Sequence, residues 1–363
     1  MVVPSTYGGA AANAAGPGKR HPVEFSASAG EYFRIWIVNL ALTIATLGIY
    51  SAWAKVRKRR YFYGHTRIDG ESFEYRANPI AILKGRLIAV ALFAGFYAIS
   101  HFAPLYIWAL YLLLLFAGPW LVVRSLAFNA YNTAYRNVRF AFSGTYRTCL
   151  GLVLGYGLLT VVTFGFGFPF LRRRLVQFAA ESHSYGTTRF ALPEGFKKPF
   201  IRPYFVVIGV SILLGVVLVA FFAAVSVIAG APAKAGADKP GWMPTAIIAG
   251  VVVFYAFLFL QVGYIRARTV NAVWNHLSVG PLRFESALRA RDLIWLYFSN
   301  FVAVVLTVGL ATPWAAVRAM RYRASKTTVI ASDTLDGFAQ AEAQRVSVAG
   351  EEVADFFDID IAL

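Results

Sequence analysis

Apolar residues along this chain fall into two kinds of run. Two pairs are long and nearly unbroken, 83–100 with 104–123 and 204–229 with 243–265. Each run is near or above the roughly 20 apolar residues that a bilayer crossing needs. HFAP joins the first pair and AGAPAKAGADKPGW the second, so each pair predicts a helical hairpin. Three shorter runs, 33–50, 149–170 and 293–313, stand before, between and after them. From 33 to 46 a helix rises only about 21 Å, short of a hydrocarbon core of about 30 Å.

The three short runs resemble one another. Without a gap, TLGIYSAWAKVRKRRY (46–61) aligns with TVGLATPWAAVRAMRY (307–322), and TFGFGFPFLRRRLVQF (163–178) is a degenerate third copy. The same register pairs Asn39 with Asn300. Alternating strand-like pieces frame each copy: 23–33, 138–147 and 282–292 before it, 65–79, 187–199 and 327–338 after it. If the strand before each short run pairs with the strand after it, both ends of that run lie on one membrane face. Each short run is therefore expected to be re-entrant or spanning, with re-entry favoured.

Composition agrees with a membrane protein: 58% of the 363 residues are hydrophobic and 15% charged, against about 25% charged in an ordinary soluble domain. The formal charge of +17 could suggest nucleic acid, but the basic residues flank the apolar runs. Lys84, Arg86 and Arg124 bound the first hairpin; Lys197, Lys198, Arg202, Arg266 and Arg268 bound the second. The positive-inside rule then puts these ends, and the C-terminal tail, in the cytoplasm, and no nucleic-acid partner is expected. Residues 1–22 predict a disordered lead, not a signal peptide.

The framed NLALTIATLGIYSAWAKVRKRRYFYGHTRIDGESFEY, the basic ILKGR, the later PWAAVRAMRY and the terminal GEEVADFFDIDIAL resemble the YjgN-like family of bacterial inner-membrane proteins. That resemblance implies a multi-pass protein of the inner membrane and transfers no catalytic residues. The fold expected is an α-helical polytopic membrane protein with internal repeats. It would comprise two transmembrane hairpins, three shorter Thr-x-Gly segments and short cytoplasmic strands. The membrane domain spans 23–332, in units of about 23–137, 138–281 and 282–332, followed by an acidic tail at 333–363.

The five histidines are scattered, Cys149 is the single cysteine, and no HExxH, CxxC or P-loop spacing occurs. No enzyme constellation, cofactor or metal site is therefore expected. Asn39, Asn300, Thr46 and Thr307 are the candidate intramembrane polar groups, either bonding across helices or lining a polar path. Gly48, Gly165 and Gly309 are candidate helix stops. Trp53, Arg57, Arg60, Trp314, Arg318 and Arg321 are candidate interfacial residues for anionic lipid headgroups. Eight of 18 acidic residues follow Ser332, and the apolar content of EEVADFFDIDIAL suggests docking on the basic face or on a partner. The functional expectation is a transport-type or lipid-interacting protein; the alternative is a scaffold recruiting another envelope protein. Oligomeric state is not specified by the sequence.

Overall fold

Short strands joined by tight turns build the base of the molecule. The computed structural model describes residues 18–102, 104–229 and 243–354. Its strands are β1 (Lys19–Phe25), β2 (Thr66–Ile68), β3 (Glu71–Tyr75), β4 (Thr133–Tyr135), β5 (Val138–Phe142), β6 (His183–Tyr185), β7 (Thr188–Ala191), β8 (Ser278–Val279), β9 (Leu282–Ser286) and β10 (Thr327–Ala331). Its helices are α1 (Ala29–Ala45), α2 (Ser51–Gly64), α3 (Pro79–Phe102), α4 (Ile107–Tyr131), α5 (Tyr146–Val162), α6 (Phe168–Glu181), α7 (Lys197–Ala229), α8 (Met243–Trp274), α9 (Ala290–Leu306), α10 (Thr312–Ser325) and α11 (Leu335–Ala354).

Two-residue turns connect β2 to β3, β4 to β5, β6 to β7 and β8 to β9. Asp69 and Gly70 adopt φ of 52° and 80°, and Arg136 and Asn137 adopt 48° and 64°. Paired left-handed residues match the twist of a two-residue hairpin. The remaining strand pairs enclose helices. β1 pairs with β2 around α1 and α2, β3 with β4 around α3 and α4, and so on to β9 with β10. β1 also pairs with β10, His21 opposite Val329, which closes an antiparallel barrel of ten strands. Five helical hairpins therefore leave one end of the barrel, and the tight turns cluster at the other.

This barrel corrects the expectation of a purely helical polytopic protein with short accessory strands. The strand-like pieces are the walls of one closed sheet. Its edge-free closure depends on pairing residues 19–22 with 328–331, a separation that periodicity cannot reveal. The piece at 65–79 is two strands folded at Asp69-Gly70, while β4, β6 and β8 are two or three residues long, too short to alternate visibly.

Alternation sorts side chains between lumen and exterior. Ile68, Tyr135, Val138, Tyr185, Val279, Leu282 and Val329 are buried inside, packed by Phe73, Phe140, Phe190 and Phe284. Arg67, Glu74, Arg139, Arg189, Arg283 and Glu285 stand exposed on the outer face. Beyond the turn end, α11 covers the lumen with buried Leu335 and Ala339 and with Phe338, whose ring stacks 5.8 Å from that of Tyr185.

At the other end, three helical segments among the described residues are long and apolar enough to cross a membrane: Pro79–Phe102, Ile107–Tyr131 and Glu194–Ala220. No residue of α3 is buried, while Phe93 and Val90 are more than half exposed. An apolar helix with no polar face has lipid as its natural solvent.

Candidate functional site

Three of the helical hairpins turn at the Thr-x-Gly sequences, and their local geometry is the same. Thr46, Thr163 and Thr307 each cap the first helix and donate Oγ1–H to the carbonyl four residues back, at 2.7, 2.6 and 2.7 Å. The same oxygens accept the backbone N–H four residues ahead, from Tyr50, Gly167 and Ala311, at 2.9, 2.7 and 2.9 Å. One hydroxyl thus ends one helix and starts the next. Gly48, Gly165 and Gly309 follow at φ of 93°, 95° and 92°. Each donates its N–H five residues back, to Thr43, Thr160 and Val304, satisfying a carbonyl that the helix end would otherwise leave open.

Between Thr and Gly stand Leu47, Phe164 and Val308, at φ of 50°, 49° and 50° and 95%, 94% and 92% exposed. A left-handed apolar residue costs about 1–3 kcal/mol. Three apolar tips held in that geometry and fully exposed fit an apolar surrounding better than water.

Three of the four candidate interfacial arginines are engaged with the protein itself. Arg318 donates to Asn300 Oδ1 at 3.0 Å and to Ser299, and its guanidinium lies 5.1 Å from the Trp314 ring. Asn300 in turn donates to the Ala315 carbonyl, tying α9 to α10. Arg60 reaches the carbonyls of Tyr75 and Ala77, ahead of α3, and Arg321 that of Ala27, ahead of α1, so each braces the start of the hairpin beside it around the barrel. Trp53 stacks on Tyr50, 6.1 Å between centroids. Arg57 is exposed and has no hydrogen bond or ion pair among the described residues. Asn39 is 6% exposed, and its Oδ1 has no partner among them. The three tips do not converge on any described cavity.

What does converge lies at the helix-side mouth of the barrel. A cavity of about 470 Å³ is floored by Phe73, Phe140, Phe190 and Phe284 and walled by Val270, Trp274 and Leu293 from α8 and α9. Arg266 and Arg323 are the only charged groups in its lining. Both meet at Tyr297: the Arg266 guanidinium sits 5.9 Å from the ring, and Arg323 donates to the hydroxyl at 3.5 Å. Neither has a carboxylate partner among the described residues. An apolar chamber with two unpaired cations at one wall can hold the apolar part of an amphiphile and its anionic group together.

The aromatic floor separates this cavity from a smaller void of about 70 Å³ that α11 closes from the far end, with Leu335 and Phe338 in its wall. There Glu342, fully buried, accepts from the N–H and hydroxyl of Thr187 at 2.8 and 2.9 Å and from those of Thr188 at 3.2 and 2.7 Å. Arg345 adds an ion pair at 2.8 Å. Burial pushes the Glu342 carboxyl up, but the hydrogen bonds from Thr188 and Thr187 outweigh it and hold the group below the usual carboxylate range. Arg136 likewise pairs with Asp336 and Asp69. Residues 355–363, with most of the terminal acidic and apolar motif, lie outside the described residues.

The sequence reading missed the cavity because its floor is assembled from four strands. Phe140, Phe190 and Phe284 recur in VRFAF, TRFA and LRFES, each one place after an outward arginine. That shared pattern was the available signal.

A family model described as bacterial protein of unknown function (DUF898) matches residues 20–356, nearly the entire chain. This chain belongs to the DUF898 family. The inner membrane protein YjgN of Salmonella typhimurium is 23% identical over 348 residues, 85% of this chain and 88% of that protein. YjgN of Escherichia coli K12 is 33% identical over 129 residues, 34% of this chain and 31% of its relative. No solved structure matches. With its apolar helices, this DUF898 member is an inner-membrane protein.

Proposed function

We propose that the protein is lipid-interacting and holds a membrane amphiphile in the barrel mouth, its acyl portion over the phenylalanine floor and its anionic group toward Arg266 and Arg323. The cavity carries this reading: it is apolar, it opens beside the helices, and its two cations lack acidic partners among the described residues. The barrel is taken to face the cytoplasm, because the hairpin ends are basic. The three Thr-x-Gly hairpins are taken as copies of one repeated unit that re-enter the bilayer without crossing it. Their exposed apolar tips and their paired flanking strands support that view.

The test uses a phospholipid bearing a photoreactive acyl chain, irradiated with full-length protein in vesicles. Crosslinks on peptides containing Phe190, Trp274 and Phe284 are expected, and filling the cavity by Phe190→Trp with Val270→Phe should remove them. Crosslinks confined to α3 and α4 would overturn the proposal. Recruitment of a partner through the acidic tail is the second reading, resting on EEVADFFDIDIAL.

A further inference from the structure

A second cavity, of about 970 Å³, opens where the two ends of the α7–α8 hairpin meet. Lys197 and Lys198 begin α7, Arg202 follows one turn later, and Arg268 and His276 enter from the end of α8 and just beyond it. Lys197 pairs with Glu194. Lys198, Arg202 and Arg268 have no carboxylate partner among the described residues, and Arg268 lies instead over the Tyr264 ring at 5.8 Å. His276 directs Nδ1 at the Ala272 carbonyl, 2.8 Å away.

Three unpaired cations in one cleft repel one another unless an anion neutralises them. The upper wall is apolar, with Ile201, Val206 and Tyr264. From Val206 an exposed stripe continues up α7 through Val210, Leu213 and Val217, each between 42% and 64% exposed. These positions recur every three or four residues and so share one helix face. A charged floor that grades into a continuous apolar stripe has the chemistry of a phospholipid, whereas a site for a free anion needs no such stripe.

We propose that this cleft binds the phosphate headgroup of an anionic phospholipid, with one acyl chain lying along the α7 stripe. The site is separate from the barrel-mouth cavity. Arg266 lines that cavity and Arg268 this cleft, two positions apart and therefore about 200° around the α8 axis from each other.

The test is native mass spectrometry of the full-length protein in a non-ionic detergent, titrated with phosphatidylglycerol, phosphatidylethanolamine or inorganic phosphate. Lys198→Gln with Arg202→Gln and Arg268→Gln should weaken phosphatidylglycerol binding about a hundredfold, and each single substitution about fivefold. Arg139→Gln with Arg189→Gln and Arg283→Gln, on the barrel exterior, removes the same charge and should change nothing. Arg266→Leu with Arg323→Leu should remove only the lipid held at the barrel mouth and leave one phosphatidylglycerol bound in the cleft, which keeps the two sites distinguishable. Equal loss in the exterior variant would reduce the effect to diffuse attraction and overturn the proposal. So would unchanged binding in the cleft variants, or inorganic phosphate competing as well as the lipid does. If the triple variant fails to fold, the single substitutions decide.

Discussion

Glu342 shows how one residue can hold an element in place. Its carboxylate receives four hydrogen bonds from Thr187 and Thr188 with no exposure to solvent. Glu342→Gln turns an amide NH₂ toward at least one of those donors and should cost about 1.5–3 kcal/mol. The expected readout is faster proteolysis within α11 while the barrel persists. The hydrogen bonds hold the folded carboxyl below its unfolded value. The stabilisation is therefore present above the unfolded value of about 4.3 and is lost as pH falls through the folded one. Amide exchange in α11 should accelerate in that acid range, and Glu342→Gln should remove the pH dependence. In the sequence Glu342 was one of eight acids in a polar tail. Nothing local marks it, because its donors lie about 155 residues away.

Among the elements, the Thr-x-Gly hairpins were the most legible, because each helix stop is made within ten residues. Gly309→Ala places a Cβ at φ of 92° and should destabilise the α9–α10 turn by about 1–2 kcal/mol, read as a lowered Tm in detergent. What Arg60 and Arg321 reach was not legible, since their carbonyl partners belong to a neighbouring hairpin, for Arg321 the one at the opposite end of the chain. The contact between α8 and α9 is equally hidden. A Cβ on Gly263 would overlap Ile294 Cγ1 and lie 3.1 Å from its backbone, so the two helices approach at that glycine. Gly263→Ala should cost about 1–3 kcal/mol by forcing them apart. Because both helices wall the barrel-mouth cavity, the photoreactive lipid should also crosslink less there.

For the whole molecule, the strand pairs that frame each helical hairpin force both of its ends to one side. Single cysteines at Gly30, Glu181 and Ser325, in a Cys149→Ser background, should all label from the cytoplasm with an impermeant maleimide. Labelling of Glu181→Cys from the opposite side would refute re-entry of α5 and α6. Cys149 is fully buried, so its replacement leaves the exposed surface unchanged.

The sequence by itself determined the membrane setting, the first long apolar hairpin and the three Thr-x-Gly stops. These follow from run length and local backbone chemistry, which act over a turn or two of chain. Of the second hairpin it predicted, only the first helix is long and apolar enough to cross among the described residues. Only the tertiary structure decided that the strand pieces close into a ten-stranded barrel, that phenylalanines from four strands form one floor, and that α11 closes the far end. Strands of two to seven residues carry too little alternation to fix a partner. Closure comes from burying one face of all of them together, a term that exists only once distant segments meet.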